Sequence, residues 1–225
     1  MSSADDLGQF LQKHDCAPPL APEKDTSEEG AGKNSLTESS ELDDEGSVDG
    51  NGVTTLMEAA KRNDVDAVKR YIPYQARMVA KLVNVGGINI YEGTALMVAA
   101  VLGHAEVVRL LRKHESCMRS SNEWTALMWA AFIGHAEVVR LLLRTEGGMK
   151  KGKGCTALTV AAGYNHLDCV RLLLEREKNV GGESAIRMAN RWNHSRVVSL
   201  LESNGIRLVD PYLRIPPKEP VSELA

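Results

Sequence analysis

Four histidines recur in one frame, His104, His135, His166 and His194, each directly after a glycine or an asparagine. A row of imidazoles is the material of a metal site or an acid–base relay. The spacing argues against both. If each histidine belongs to one layer of packed helices, neighbouring rings lie roughly 8–10 Å apart, whereas two ligands of one zinc must each lie about 2 Å from it. The imidazoles are therefore read as hydrogen-bonding turn backbone and helping to start the helix after each. No metal is expected.

The other reactive residue types fare no better. Cys16, Cys117, Cys155 and Cys169 show no pair spacing of metal or redox type, so free thiols and no cofactor are expected. A cysteine nucleophile needs a histidine and an orienting group in a cleft. His166 is near Cys169, but it opens the helix whose apolar side Cys169 joins, where Val107 and Val138 stand in the equivalent segments. A packed thiol is the better reading. The basic tip Met149-Lys150-Lys151-Gly152-Lys153-Gly154 lacks the preceding strand and the hydroxyl of a phosphate-cradling loop. No nucleophile elbow, paired-carboxylate site, dinucleotide fingerprint or kinase signature occurs, and the chain is not expected to be an enzyme.

The elements that position these residues are written more than once. Trp124 to Thr145 reads WTALMWAAFIGHAEVVRLLLRT; 31 residues upstream stands GTALMVAAVLGHAEVVRLLRK, and 31 downstream CTALTVAAGYNHLDCVRLLLE. Such a period marks a stacked array. Within a unit Leu127, Ala130 and Ala131 share one face of a first helix, Gly134 ends it, and a second helix over Ala136–Arg144 sets Val138, Val139, Leu142 and Leu143 against Glu137, Arg140 and Arg144. Neither helix is stable alone in water, so the units must lean on one another.

These segments resemble the ankyrin repeat, whose pattern is roughly G-x-T-P-L-H-x-A-A-x-x-G-H-x-x-V-V-x-L-L-L. The match is close over Thr94–Leu111, Thr125–Leu143 and Thr156–Leu174, with weaker copies at Thr55–Ile72 and Ser184–Leu201. The family's proline is replaced by Ala95, Ala126, Ala157 or Ala185, and its first histidine by Met57, Met97, Met128, Thr159 or Arg187. In wording the repeats are similar to the expanded ankyrin families of diplomonad protozoa. The resemblance implies an all-α solenoid of about five helix-turn-helix units, working as a protein-binding module or scaffold, with cytoskeletal or signalling assemblies as clients.

Flanking the array over 51–204, an acidic arm over 1–50 and a tail over 205–225 are expected. The arm holds 13 acidic and 3 basic residues, leaving 17 and 24 on the remainder, so the net charge of −3 divides into −10 and +7. Its composition predicts disorder, with Ser39 and Ser40 as candidate phosphorylation sites and Leu7, Phe10 and Leu11 as a candidate docking helix. From Thr55 to Thr94 the step is 39, and in the extra residues Met78, Val79, Leu82 and Val83 keep helical spacing, predicting an extended second helix or a third one after Pro73. The last step shortens to 28. In the tail, Arg214–Pro220 fits a proline-rich ligand; an ordinary tail, with Ile206, Leu208 and Val209 packed on the last unit, is the alternative. At 43% hydrophobic and 25% charged, without a membrane-length apolar run or a signal-peptide layout, the chain reads as a cytoplasmic monomer that meets no membrane.

What varies between copies points to the site. After the paired alanines come Lys61-Arg62, Val101-Leu102, Phe132-Ile133 and Gly163-Tyr164, then Arg191-Trp192 after Ala189-Asn190. With Leu127 at 0°, Phe132 and Ile133 fall at roughly 140° and 240° round the helix, off the packing face. In the resembled family this column, with the residue before the threonine, faces the concave groove. Val101, Leu102, Trp124, Phe132, Ile133, Tyr164, Arg191 and Trp192 are thus the expected partner-binding residues, an apolar strip with basic ends. Phosphate or nucleic-acid binding by the basic array is the competing class.

Overall fold

The computed structural model describes residues 46–208 except residue 153. The readings made for Leu7, Phe10, Leu11, Cys16, Ser39, Ser40 and Arg214–Pro220 fall outside the described residues. Each of the first four units opens on a threonine in extended backbone. The hydroxyls of Thr54, Thr94 and Thr125 accept the N–H of Met57, Met97 and Met128 at 3.2, 3.4 and 3.4 Å, satisfying donors that a helix start leaves orphaned. Thr156 takes the same place and gives its own N–H to Thr159 Oγ1. The first helices follow: α1 (Thr55–Lys61), α3 (Ala95–Leu102), α5 (Ala126–Ile133) and α7 (Ala157–Gly163).

Gly103 and Gly134 end α3 and α5 at φ +75° and +96°, a conformation that costs glycine nothing. Asn63, Asn165 and Asn193 hold the same left-handed turn in the remaining units, being the side chains that tolerate it best. The second helices are α2 (Val65–Gln75), α4 (Ala105–Glu115), α6 (Ala136–Glu146), the opening of α8 (Leu167–Arg191) and α9 (Ser195–Ser203). Asp66, Glu106, Glu137 and Asp168 sit in the first turn of the first four, where the helix dipole favours negative charge. First helices pack on first helices and second on second along the stack. The core is one continuous cluster running through every unit, from Leu56 to Ile206. Among the described residues there are nine helices and one hairpin, and the solenoid is all-α as the repeats imply.

Three local readings are corrected. The threonine that corresponds to Thr94 is Thr54, the cap of its helix, and not Thr55, so the first step is 40 residues. The extra residues form no helix. They make a β-hairpin, β1 (Ala80–Val85) against β2 (Ile88–Gly93), with Val85 opposite Ile88 and Val83 opposite Ile90. Gly86 and Gly87, at φ +57° and +89°, supply the two-residue turn whose twist suits such a ribbon. Alternation decides the matter: Val83, Val85 and Ile90 are buried, whereas Met78 and Val79, which gave the helical spacing, are 38% and 46% exposed. Pro73 lies inside α2, which ends two residues later.

The fifth unit has no separate first helix. α8 runs unbroken for 25 residues, serving as second helix of the fourth unit and first helix of the fifth. Gly181 and Gly182 sit buried within it because neighbours approach too closely for a side chain. A Cβ on Gly181 would lie 2.1 Å from Thr156 Oγ1, and one on Gly182 2.9 Å from Ile206 Cδ1.

Glycines of similar φ give a test of what the stack demands. A Cβ on Gly134 would fall 2.5 Å from the His166 ring, while one on Gly148, at φ +86°, meets nothing within 4 Å. Gly148→Ala should therefore cost only backbone strain, about 1 kcal/mol, and Gly134→Ala about 2–3 kcal/mol by urea unfolding, since it also breaks a hydrogen bond between units.

Candidate partner-binding face

Two polar contacts repeat from unit to unit and fix how the face is assembled. The first is made by the histidines. Each of His104, His135, His166 and His194 caps a second helix, and its Nε2 meets a carbonyl at the end of the previous unit's first helix: Lys61, Val101, Phe132 and Gly163, at 3.3, 3.0, 2.9 and 3.0 Å. A carbonyl only accepts, so Nε2 carries the proton. Burial holds the His166 pKa below the usual value. The rings thus bond turn backbone, but across units rather than within one. Among the described residues no group of three His, Cys, Asp or Glu side chains is gathered as a metal would need.

The second contact went unread in the sequence. Glu115, Glu146 and Glu177, each the last turn of a second helix or its equivalent in α8, are buried. One carboxylate oxygen accepts the N–H of Leu96, Leu127 or Leu158 at 2.7 Å, inside the first turn of its own unit's first helix. The other accepts the N–H of Arg77, Cys117 or Gly148 at 3.1, 3.0 and 2.9 Å, in the preceding unit's loop. All three loop residues have positive φ. Burial pushes these carboxyls up from the ordinary value, and the backbone hydrogen bonds pull back without cancelling it. In the first unit the loop atom is the carbonyl of Ser47, and the residue is Gln75: its Oε1 accepts from Leu56 at 2.8 Å and its Nε2 donates to Ser47 at 3.3 Å. A period was the available signal, since Glu115, Glu146 and Glu177 stand 31 residues apart.

On this frame the variable column is only partly open. Leu102, Phe132, Ile133, Tyr164 and Trp192 are half-buried, while Lys61, Arg62 and Arg191 are exposed. Trp124 and Val101 were expected on the strip and do not lie there. Trp124 is fully buried and Val101 5% exposed. Trp124 precedes the capping Thr125 and its ring lies tilted against that of Trp129, 4.8 Å away, an apolar clasp over the helix start that fixes the entry angle of the chain. Val101 is covered because every residue of α3 from Ala95 onward to it is buried. The Trp124–Trp129 pair continues outward through Phe132, edge-on at 5.8 and 6.1 Å, to Tyr164 of the next unit at 4.6 Å and 90°. Such T-shaped pairs add to burial.

The remaining candidates for chemistry are accounted for. Cys117 and Cys169 are free thiols; burial pushes Cys169 up to about 11, so it is protonated at neutral pH. At the basic tip Lys151 pairs with Cys155, and the Gly152 N–H points at the Glu123 carboxylate at 3.3 Å. A donor that a phosphate would use already faces an anion.

Residues 30–112, 56–151 and 144–211 each match the family model for ankyrin repeats. The chain belongs to the ankyrin-repeat family. No curated protein matches it. Ankyrin repeats generally serve as protein–protein interaction modules, and the family is typically non-enzymatic. No helix among the described residues of this ankyrin protein is long and apolar enough to cross a membrane.

The buried glutamates give a pH-dependent test. A carboxyl whose pKa is higher folded than unfolded binds its proton more tightly in the folded state, so stability falls as pH rises from about 4.5 through the folded value. Glu146→Gln sets an amide N–H₂ against the Cys117 N–H and should cost about 1–3 kcal/mol. Because only wild type carries the ionisation cost, the gap should narrow as pH rises, which urea unfolding between pH 4.5 and 8 reads directly.

Proposed function

We propose that the array binds a partner protein through the column of Leu102, Phe132, Ile133, Tyr164 and Trp192, with Lys61 and Arg62 at one end and Arg191 at the other. The observation that carries this is the contrast along the stack. Capping threonines, paired alanines, helix-ending turns, histidines and glutamates recur because the stack requires them, while the column changes at every unit. Its side chains are half-buried, and Phe132 and Tyr164 are linked edge-to-face between units, so these two offer aromatic surface already held in one geometry. Preorganised aromatics of this kind contribute most of the energy at interfaces, because little rotamer freedom is left to lose. A partner with an apolar centre and acidic flanks is the complement. Trp124 supports the platform from beneath without touching the partner, and Val101 does likewise.

The test is affinity capture from the native cell with wild type beside Ile133→Asp plus Trp192→Asp, each bait first shown to keep its melting transition. Loss of the two apolar groups should weaken the partner by about thirtyfold or more, the mark of an interface hot spot. Equal recovery by both baits would overturn the reading. Retention of the partner at high salt separates it from phosphate or nucleic-acid binding, whose affinity falls steeply as salt rises.

A further inference from the structure

The exposed side of the second helices follows one charge rule until the last unit. Two residues after the cap stands an acid, and three residues later a base: Asp66 and Lys69 in α2, Glu106 and Arg109 in α4, Glu137 and Arg140 in α6, Asp168 and Arg171 in α8. Lys69 pairs with Asp66 at 3.2 Å, Arg109 with Glu106 at 3.3 Å, and Arg140 with Glu137. Arg109 also reaches Glu137 of the next unit at 3.6 Å. α9 breaks the rule, for its two positions hold Arg196 and Ser199. The residue that the next unit presents to Arg171 is therefore an arginine, where Arg109 finds a carboxylate. Among the described residues neither Arg171 nor Arg196 enters an ion pair.

Stacking does not call for this exchange. A cation in the first turn opposes the helix dipole, two like charges on neighbouring helices repel, and both arginines are exposed, so neither fills the core. A local rule broken with nothing in the packing to compensate marks a functional position. The two guanidinium groups line one open cleft of about 620 Å³ between α8 and α9, together with Ser195 and Ser199 beside Arg196 and with Leu167 and Leu200. None of the described residues lining it is acidic.

The donors define the ligand. Two forked guanidinium groups and two hydroxyls offer more hydrogen bonds than the two oxygens of a carboxylate can accept, and they suit the three oxygens and about two negative charges of a phosphoryl monoester. The surroundings restrict what carries it. Asp168 and Glu175 stand one turn to either side of Arg171, and Glu202 is exposed near the end of α9. A nucleic acid or an anionic membrane would lay its further charges against these carboxylates. A peptide with one phosphoryl group would not, and Leu167 and Leu200 offer apolar contact to a neighbouring side chain.

We propose that the cleft between α8 and α9 binds a peptide through a phosphorylated serine or threonine, with Arg171 and Arg196 holding the phosphoryl oxygens and Ser195 and Ser199 donating to the remainder. Recognition of this kind, by arginines converging from two elements, is a general solution for phosphorylated segments. The site is built wholly from second helices. It stands apart from the column of Leu102, Phe132, Ile133, Tyr164 and Trp192 and does not depend on it.

Fluorescence anisotropy on the full chain tests it. The probes are a labelled degenerate peptide library with phosphoserine fixed at its centre, the same library with serine there, a single-stranded oligonucleotide, and vesicles containing phosphatidic acid. Wild type should bind the phosphoserine library about tenfold or more tighter than its serine twin, and both Arg171→Ala and Arg196→Glu should erase that difference. Arg196→Glu restores the acid that the other units carry, so its melting temperature should stay unchanged or rise, and lost binding is then not lost fold. Equal binding of the two libraries by wild type, or an undiminished preference in both variants, overturns the proposal. So does tighter binding of the oligonucleotide or the vesicles than of the phosphoserine library. Ile133→Asp plus Trp192→Asp should leave the phosphoserine preference intact; its loss there would place the phosphoryl site on the column instead.

Discussion

The second helices of the second, third and fourth units are each tied to the unit before at both ends, and the tie at the C-terminal end is a buried carboxylate. A first helix begins with N–H groups that no intrahelical acceptor can reach, and the preceding loop ends its turn with another N–H at positive φ. Both sets of donors are buried by stacking, so both must be satisfied. One carboxylate, with two oxygens, serves both. Glu146 does so for Leu127 and Cys117, and the same geometry recurs at Glu115 and Glu177. Removing a negative charge from water is costly, and the raised pKa of each glutamate reports that cost. The arrangement persists because the alternative is two unsatisfied backbone donors per layer. Gln75 shows the rule by exception: where the loop offers a carbonyl instead of an N–H, an amide replaces the acid.

At the other end of the helix the histidine completes the constraint. Its ring crosses to a carbonyl of the previous unit and passes where Gly103 or Gly134 has no side chain. Helix-ending glycine, histidine and glutamate therefore form one device, and the 31-residue period is its length. Salt bridges such as Arg109–Glu137 run between second helices on the exposed side, where solvent leaves them little weight. With the second, third and fourth units each fixed twice to the unit before, relative motion there costs several hydrogen bonds at once. The variable column inherits that rigidity, which suits a surface meant to be recognised rather than to remodel itself.

The ends of the array are built differently from its body. At one end the β1–β2 hairpin replaces a plain turn, and its strands continue into neighbouring loops through Lys81 to Asn51 and Ser121 to Tyr91. At the other, the projecting turn is lost and α8 passes straight through two units. Both variants keep the core filled while changing what is displayed, which is the freedom a stack of nearly independent layers allows.

The repeat, the helix pair, the turn glycines and the inter-helix histidines were all legible from residue order, because each rests on local backbone chemistry that recurs with the period. The variable column was legible too, as whatever the period does not explain. Alternation around Gly86-Gly87 was also present in the chain, but Met78, Val79, Leu82 and Val83 fit helical spacing equally well, and only pairing between strands separates the two. The depth of each side chain was not legible. Trp124 and Val101 occupy the expected column, yet both are buried, Trp124 against Trp129 and Phe132. The partners of Glu115, Glu146 and Glu177 emerged only on stacking: a glutamate at a helix end reads as solvated until a second unit's backbone closes over it. Residue order thus determined the tile, and tertiary packing decided which of its atoms face another tile and which face outward.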